Sequence, residues 1–141
     1  MDLKLKNKTA FITGSTAGIG YAIALGLARE GAHVLLNGRT EDSVRAAVSE
    51  LKATFPEAQI SGFAADFGDS MQVKQLIDQL IAALPEIDIL VNNVGIYAAK
   101  TYQETSDADW QSMLDVNLMS GVRLSRALLP GMKQRNWGRI L

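Results

Sequence analysis

Apolar positions along the chain follow two alternating rhythms. Short, nearly unbroken apolar runs at 8–13, 32–37, 60–64 and 87–91 read as strands, and Arg139-Ile140-Leu141 reads as the start of a fifth. Helical spacing fills the gaps. Ile19, Ile23 and Leu27 recur every fourth residue and predict a helix over 19–30 that stops at Gly31. Thr40 reads as an N-cap with Glu41 and Asp42 in the first turn, opening a helix to about residue 54. Ser70 opens another, whose apolar positions Val73, Leu76, Ile77, Leu80, Ile81 and Leu84 predict one buried face. After a loop from Gly95 to about Ser106, Asp107 begins a long helical stretch to about Arg135, and Pro130 is expected to kink or shorten its end.

Strands alternating with helices imply parallel pairing through helical crossovers. Strands apolar through most of their length imply helices on both sheet faces. The expected fold is therefore α/β, a doubly wound parallel sheet of Rossmann type, with residues 1–141 as one domain whose fifth strand is only begun.

Composition narrows the function without choosing it. A net charge of −1 gives no broad attraction to nucleic acid or an anionic membrane, so neither is expected as a partner. No apolar stretch approaches the roughly 18 residues of a membrane helix, and the alternating charges of Met1-Asp2-Leu3-Lys4-Leu5-Lys6 do not make a signal peptide. With no cysteine, thiolate chemistry is excluded and a cytoplasmic location is expected. His33, the only histidine, begins strand two away from any expected site, and no metal-ligand cluster is expected.

The chemistry-bearing feature is the break after strand one, Thr13-Gly14-Ser15-Thr16-Ala17-Gly18-Ile19-Gly20. A strand, a glycine turn and a helix start form a phosphate cradle. Gly14 lets the chain leave the strand tightly. Gly18 and Gly20 remove side chains where backbone approaches pyrophosphate and where helix packs on strand. Ser15 and Thr16 offer hydroxyls to phosphate oxygens, and the helix start near Ile19 aims unpaired N–H groups at the anion. The plain alternative is a glycine-rich turn without a ligand.

These residues resemble the T-G-x-x-x-G-I-G signature of the short-chain dehydrogenase/reductase family. Asn92-Asn93-Val94-Gly95 resembles its N-N-A-G segment, with Val94 replacing the usual alanine, and Asp115-Val116-Asn117 resembles the helix segment that carries its asparagine. The resemblance covers residues 5–141, about the first half of a typical member, and implies that residues 1–141 are one dinucleotide-binding domain cut short near strand five. It implies an oxidoreductase that passes hydride between a nicotinamide and a carbonyl or secondary alcohol, working as a homo-oligomer (dimer or tetramer) when complete. It further implies that Asn117 is catalytic, holding a water in a proton relay to a lysine, and that Asp66, Phe67, Asn93, Val94, Gly95 and Val116 border the cofactor. The asparagine is expected to be buried in its apolar helix. Strand two ends in Asn37-Gly38-Arg39, with no acidic side chain to bind the adenine-ribose hydroxyls. Gly38 leaves room and Arg39 offers a planar donor for a 2′-phosphate, so NADP is favoured and NAD is the alternative.

The family's serine and its Y-x-x-x-K pair do not occur in residues 1–141: the positions four after Tyr21, Tyr97 and Tyr102 hold Leu25, Thr101 and Ser106. The chain alone is therefore expected to be inactive. Two functions remain open, the cofactor half of an NADP(H)-dependent oxidoreductase and a non-catalytic dinucleotide-binding or interaction module.

Overall fold

The computed structural model describes residues 3–83 and 86–141, so Leu84 of the expected helical face lies outside the described residues. Five parallel strands, β1 (Thr9–Ile12), β2 (His33–Gly38), β3 (Ile60–Ala64), β4 (Ile89–Val91) and β5 (Arg139–Ile140), lie in the order β3-β2-β1-β4-β5. The helices between them are α1 (Gly18–Arg29), α2 (Glu41–Thr54) and α3 (Ser70–Ala83). The long helical run comprises α4 (Asp107–Leu114), a π turn (Asp115–Met119) and α5 (Ser120–Gln134).

Strand alternation sorts the core into two layers. Phe11, Leu35 and Leu90 point to one face, where they meet Val73, Leu76 and Leu80 of α3 and Leu124, Leu128 and Met132 of α5. Ala10, Ile12, Val34, Leu36, Ile89 and Val91 point to the other, against Ala24 and Ala28 of α1 and Ala47 and Leu51 of α2. This is the doubly wound, Rossmann-like sheet expected from the strand and helix alternation. The order reverses between β1 and β4, so their carboxyl ends diverge and open a crevice.

Three local expectations change. The buried stripe of α1 is Gly20, Ala24 and Ala28, not the Ile19 repeat; Ile19 is 77% exposed. Small residues let the helix backbone come close to the sheet, and the bulkier Ile23 and Leu27 flank that contact. On α3, Ile81 turns outward while Val73, Leu76 and Leu80 are buried. Pro130 does not shorten α5, which runs on to Gln134.

The departure from α geometry comes earlier. Ser120 N–H donates to the Asp115 carbonyl, five residues back, and the Ser120 hydroxyl donates to the Val116 carbonyl. The side chain thus satisfies the acceptor that the backbone has given up. Trp110 and Leu114 of α4 and Leu118 of the π turn are exposed.

Candidate functional site

The turn after β1 is clamped from both sides. Gly14 has φ +58°, a left-handed conformation that suits glycine. Its N–H donates to Asn37 Oδ1 (3.0 Å), and its carbonyl accepts from Asn93 Nδ2 (2.9 Å). Asn93 Nδ2 also donates to the Thr13 carbonyl (2.9 Å), while the buried Thr13 hydroxyl accepts the N–H groups of Asn93 and Val94 (2.9 Å each). The turn following β1 and the segment following β4 are thereby one unit. Gly20 must be glycine here, because a Cβ would stand 2.5 Å from the Gly14 carbonyl oxygen and 2.6 Å from Asn93 Nδ2.

Above this unit lies an open cleft of ≈ 430 Å³ at the carboxyl ends of the strands. Of the residues expected from sequence, Gly14, Thr16, Arg39, Asp66, Phe67, Asn93, Val94, Gly95 and Val116 line it together. Ala17, Asn37, Gly38, Ala65, Ile96 and Tyr97 complete its wall. Gly18, Ile19 and Gly20 form the first turn of α1 beside it.

Ser15 is corrected. It is fully buried, its hydroxyl donates to the Ile12 carbonyl (2.7 Å) and accepts Asn37 N–H (2.9 Å), and its own N–H donates to the Asn37 carbonyl (2.8 Å). It braces the turn from below and offers no hydroxyl to the cleft. Asn92 also turns away, packing beside Gly121 of α5.

Asn117 is exposed rather than buried, and both ends of its amide hold one loop residue: Ile96 N–H donates to Oδ1 (2.7 Å) and Nδ2 donates to the Ile96 carbonyl (3.0 Å). The rest of that loop is pinned to α4. Lys100 Nζ lies 2.7 Å from Asp109 Oδ1, and Asp109 closes a capping box with Ser106. These bonds, from Lys100 first and then from the Ser106 hydroxyl and N–H, pull the Asp109 pKa down to about 2.

The helix starts differ in a telling way. Thr40 caps α2 by accepting Ser43 N–H, Asp69 caps α3 by accepting Met71 and Gln72 N–H, and Ser106 caps α4. The N-cap of α1 is Ala17, which has no side chain to cap with, and no acidic residue occupies the first turn. Its first N–H groups therefore remain open donors beside the cleft. A Cβ on Gly18 would meet nothing within 4 Å, so the space over this turn is empty. At the other end, Thr16 Cγ2 and Ser43 Oγ close over Gly38, where a Cβ would lie 2.5 Å and 2.9 Å from them. Among the described residues, no ion pair or hydrogen bond engages the Arg39 side chain.

A larger hollow of ≈ 640 Å³ lies at the opposite edge, lined by Lys6, Arg29, His33, Phe55 and Glu57 among others. It sits at the amino ends of β2 and β3, away from the reversal of strand order, and it contains none of the convergent donors described above.

Parallel strands, a crevice at the reversal point and an uncapped glycine-led helix define a doubly wound α/β domain with an open cleft at its switch point. The family model described as short chain dehydrogenase matches residues 8–141, and the chain belongs to that family. It is 45% identical, over its whole length and 52% of the relative, to the uncharacterized oxidoreductase YvaG of Bacillus subtilis (strain 168). It is 36% identical to a 3alpha-hydroxysteroid dehydrogenase of Mediterraneibacter gnavus, covering 100% of this chain and 56% of the relative. The crystal structure of L-sorbose reductase from Gluconobacter frateurii, complexed with NADPH and L-sorbose, superposes with a TM-score of 0.92 at 38% identity, over 99% of this chain and 53% of that one. The chain spans about half the length of the curated relatives it matches.

Proposed function

We propose that the cleft binds a nicotinamide dinucleotide, with NADP(H) preferred over NAD(H), in an oxidoreductase acting on a small carbonyl or alcohol substrate. The observation that carries this reading is the uncapped start of α1, its open amides under empty space at the strand-order reversal. When bound, the cofactor supplies hydride-transfer chemistry. The amides of Gly18, Ile19 and Gly20 hold the pyrophosphate, and the Thr16 hydroxyl stands beside them. Asp66 and Phe67 border the adenine. Arg39, without an ionic partner among the described residues, takes the 2′-phosphate through a charge-assisted hydrogen bond. The NADPH complex of L-sorbose reductase supports this choice.

Asn93 and Val94 fix the floor of the cleft, and Gly95 and Val116 border the cofactor further along. Asn117 serves the reaction as a positioning residue: its amide holds the Ile96 main chain and so fixes the loop at the substrate end. It stands exposed on the π turn rather than buried, and both of its polar ends are engaged by Ile96. A proton relay through this position needs the lysine of a Y-x-x-x-K pair, which residues 1–141 do not contain. The chain by itself is therefore proposed to bind cofactor and to turn over no substrate, since loss of a positioned general acid alone lowers rates by ~10²–10⁴.

Calorimetric titration with NADPH and NADH tests the assignment. NADPH is expected to bind about tenfold to a hundredfold more tightly, and Arg39→Asp to erase that difference. Equal affinities in the unsubstituted protein defeat the phosphate assignment.

A further inference from the structure

Asn37 is a polar residue at the end of an apolar strand and is 1% exposed. Its carboxamide joins two segments that sequence places far apart. On one side Oδ1 accepts the Gly14 N–H (3.0 Å). On the other, Nδ2 donates to the Phe63 carbonyl (3.1 Å), with the Gly38 and Ala65 carbonyls at 3.4 and 3.5 Å. Its main chain is doubly tied to Ser15, whose own hydroxyl donates back to Ile12. The next residues after Ala65 are Asp66 and Phe67, which form the far wall of the cleft. Among the described residues, no other side chain bonds both the glycine turn and the end of β3.

Resting on the reading that this cleft takes a nicotinamide dinucleotide, we propose that Asn37 is a positioning residue for it. One carboxamide locks the phosphate turn to the end of β3. The amides of α1 and the Asp66 wall are then held at a fixed spacing before the nucleotide arrives. Asn37 works through these segments: both ends of its amide face main chain. A carboxamide suits the place because it presents an acceptor toward Gly14 and a donor toward Phe63 at once. A leucine of similar volume presents neither. An ionised aspartate presents two acceptors and repels the Phe63 carbonyl, whereas a protonated aspartic acid restores the original pattern. Pre-organisation of this kind appears in affinity, because a loosened turn must be reordered on binding.

The test is NADPH affinity of Asn37→Leu and Asn37→Asp, each divided by that of the unsubstituted protein at the same pH, from pH 5.5 to 8.5, with circular dichroism to report folding. The other titratable side chains lining the cleft, Arg39, Asp66 and Tyr97, are common to all three proteins, so the ratio isolates position 37. Asn37→Leu is expected to bind about tenfold to a hundredfold more weakly at every pH. Asn37→Asp is expected to be as weak at pH 8.5 and to recover most of the loss at pH 5.5, because burial raises a carboxyl pKa into this range. If the leucine variant does not fold, recovery by a folded Asn37→Asp still upholds the proposal. Affinity unchanged in Asn37→Leu overturns it, as does a pH-independent ratio for Asn37→Asp, and so does unfolding of both variants, which makes the residue purely structural. A parent protein that binds neither NADPH nor NADH refutes the cofactor reading itself, whereas a binding parent with equally binding variants refutes the clamp alone.

Discussion

Three glycines of α1 carry opposite expectations, and Gly20 is the most informative. An alanine Cβ at position 20 would stand 2.5 Å from the Gly14 carbonyl oxygen, 2.6 Å from Asn93 Nδ2 and 2.9 Å from Ser15 Cα. Two of these are backbone atoms, so the strain is relieved only by moving α1 outward or by expelling the Asn93 amide. Expulsion breaks its bonds to Thr13 and Gly14, each worth about 1 kcal/mol. The accompanying backbone shift adds about 1–3 kcal/mol. Alanine returns about 0.5–1 kcal/mol in helix propensity. Gly20→Ala should therefore destabilise by about 2–4 kcal/mol and lower the melting temperature by roughly 10 °C. Gly18→Ala meets no neighbour but sits at φ +58°, so it should lose only about 1–2 kcal/mol of stability while its methyl intrudes on the space over the amides and cuts NADPH affinity at least tenfold. Gly26→Ala, in open space at ordinary backbone geometry, should stabilise by about 0.5–1 kcal/mol and leave affinity unchanged. Thermal melts and calorimetry on the three variants separate the effects. A Gly20→Ala protein as stable as its parent would refute the packing argument, and a Gly18→Ala protein with full affinity would refute the placement of the ligand.

Other outcomes follow from the same geometry. Arg39→Asp should equalise NADPH and NADH affinities in the titrations described above. Folding depresses the Asp109 pKa from 3.8 to about 2, so this carboxylate's contribution to stability is complete above 3.8 and is lost as pH falls through about 2. The stability gap between the parent and Asp109→Asn, read from denaturant midpoints, should accordingly be full at pH 6 and shrink toward pH 2; a gap that does not vary with pH would contradict the Lys100–Asp109–Ser106 cluster as its source. Trp110, Leu114 and Leu118 project from α4 and the π turn, and this exposed apolar face predicts a contact between copies of the chain. Leu114→Asp should shift the mass measured by light scattering toward the monomer, and an unchanged mass would exclude that face.

The strand positions were legible because each is an apolar run bounded by turn residues, and β3 falls on its expected residues, Ile60–Ala64. The cleft was legible because the glycine turn and Asn93-Val94-Gly95 each follow a strand that ends at the same sheet edge. What the sequence hid depends on direction rather than composition. Ser15 and Thr16 are adjacent hydroxyl residues, yet one braces the turn from below and the other lines the cleft, a choice fixed by the Ser15–Asn37 bonds across to β2. Ile19, Ile23 and Leu27 imitate a buried stripe, but close helix–sheet approach selects Gly20, Ala24 and Ala28. The π turn is accompanied by a single serine hydroxyl bonded to the Val116 carbonyl, a signal too local for periodicity to register. Asn37 did carry a visible mark, a carboxamide closing an otherwise apolar buried strand.

The most direct test of the account is a titration of isotope-labelled protein with NADPH, following the backbone amide resonances. The account predicts that the largest shifts fall on Gly18, Ile19 and Gly20, with a second group at Gly38 and Arg39. Shifts concentrated instead around Lys6, Arg29 and Phe55 at the opposite sheet edge, or no shifts at saturating NADPH or NADH, would contradict it.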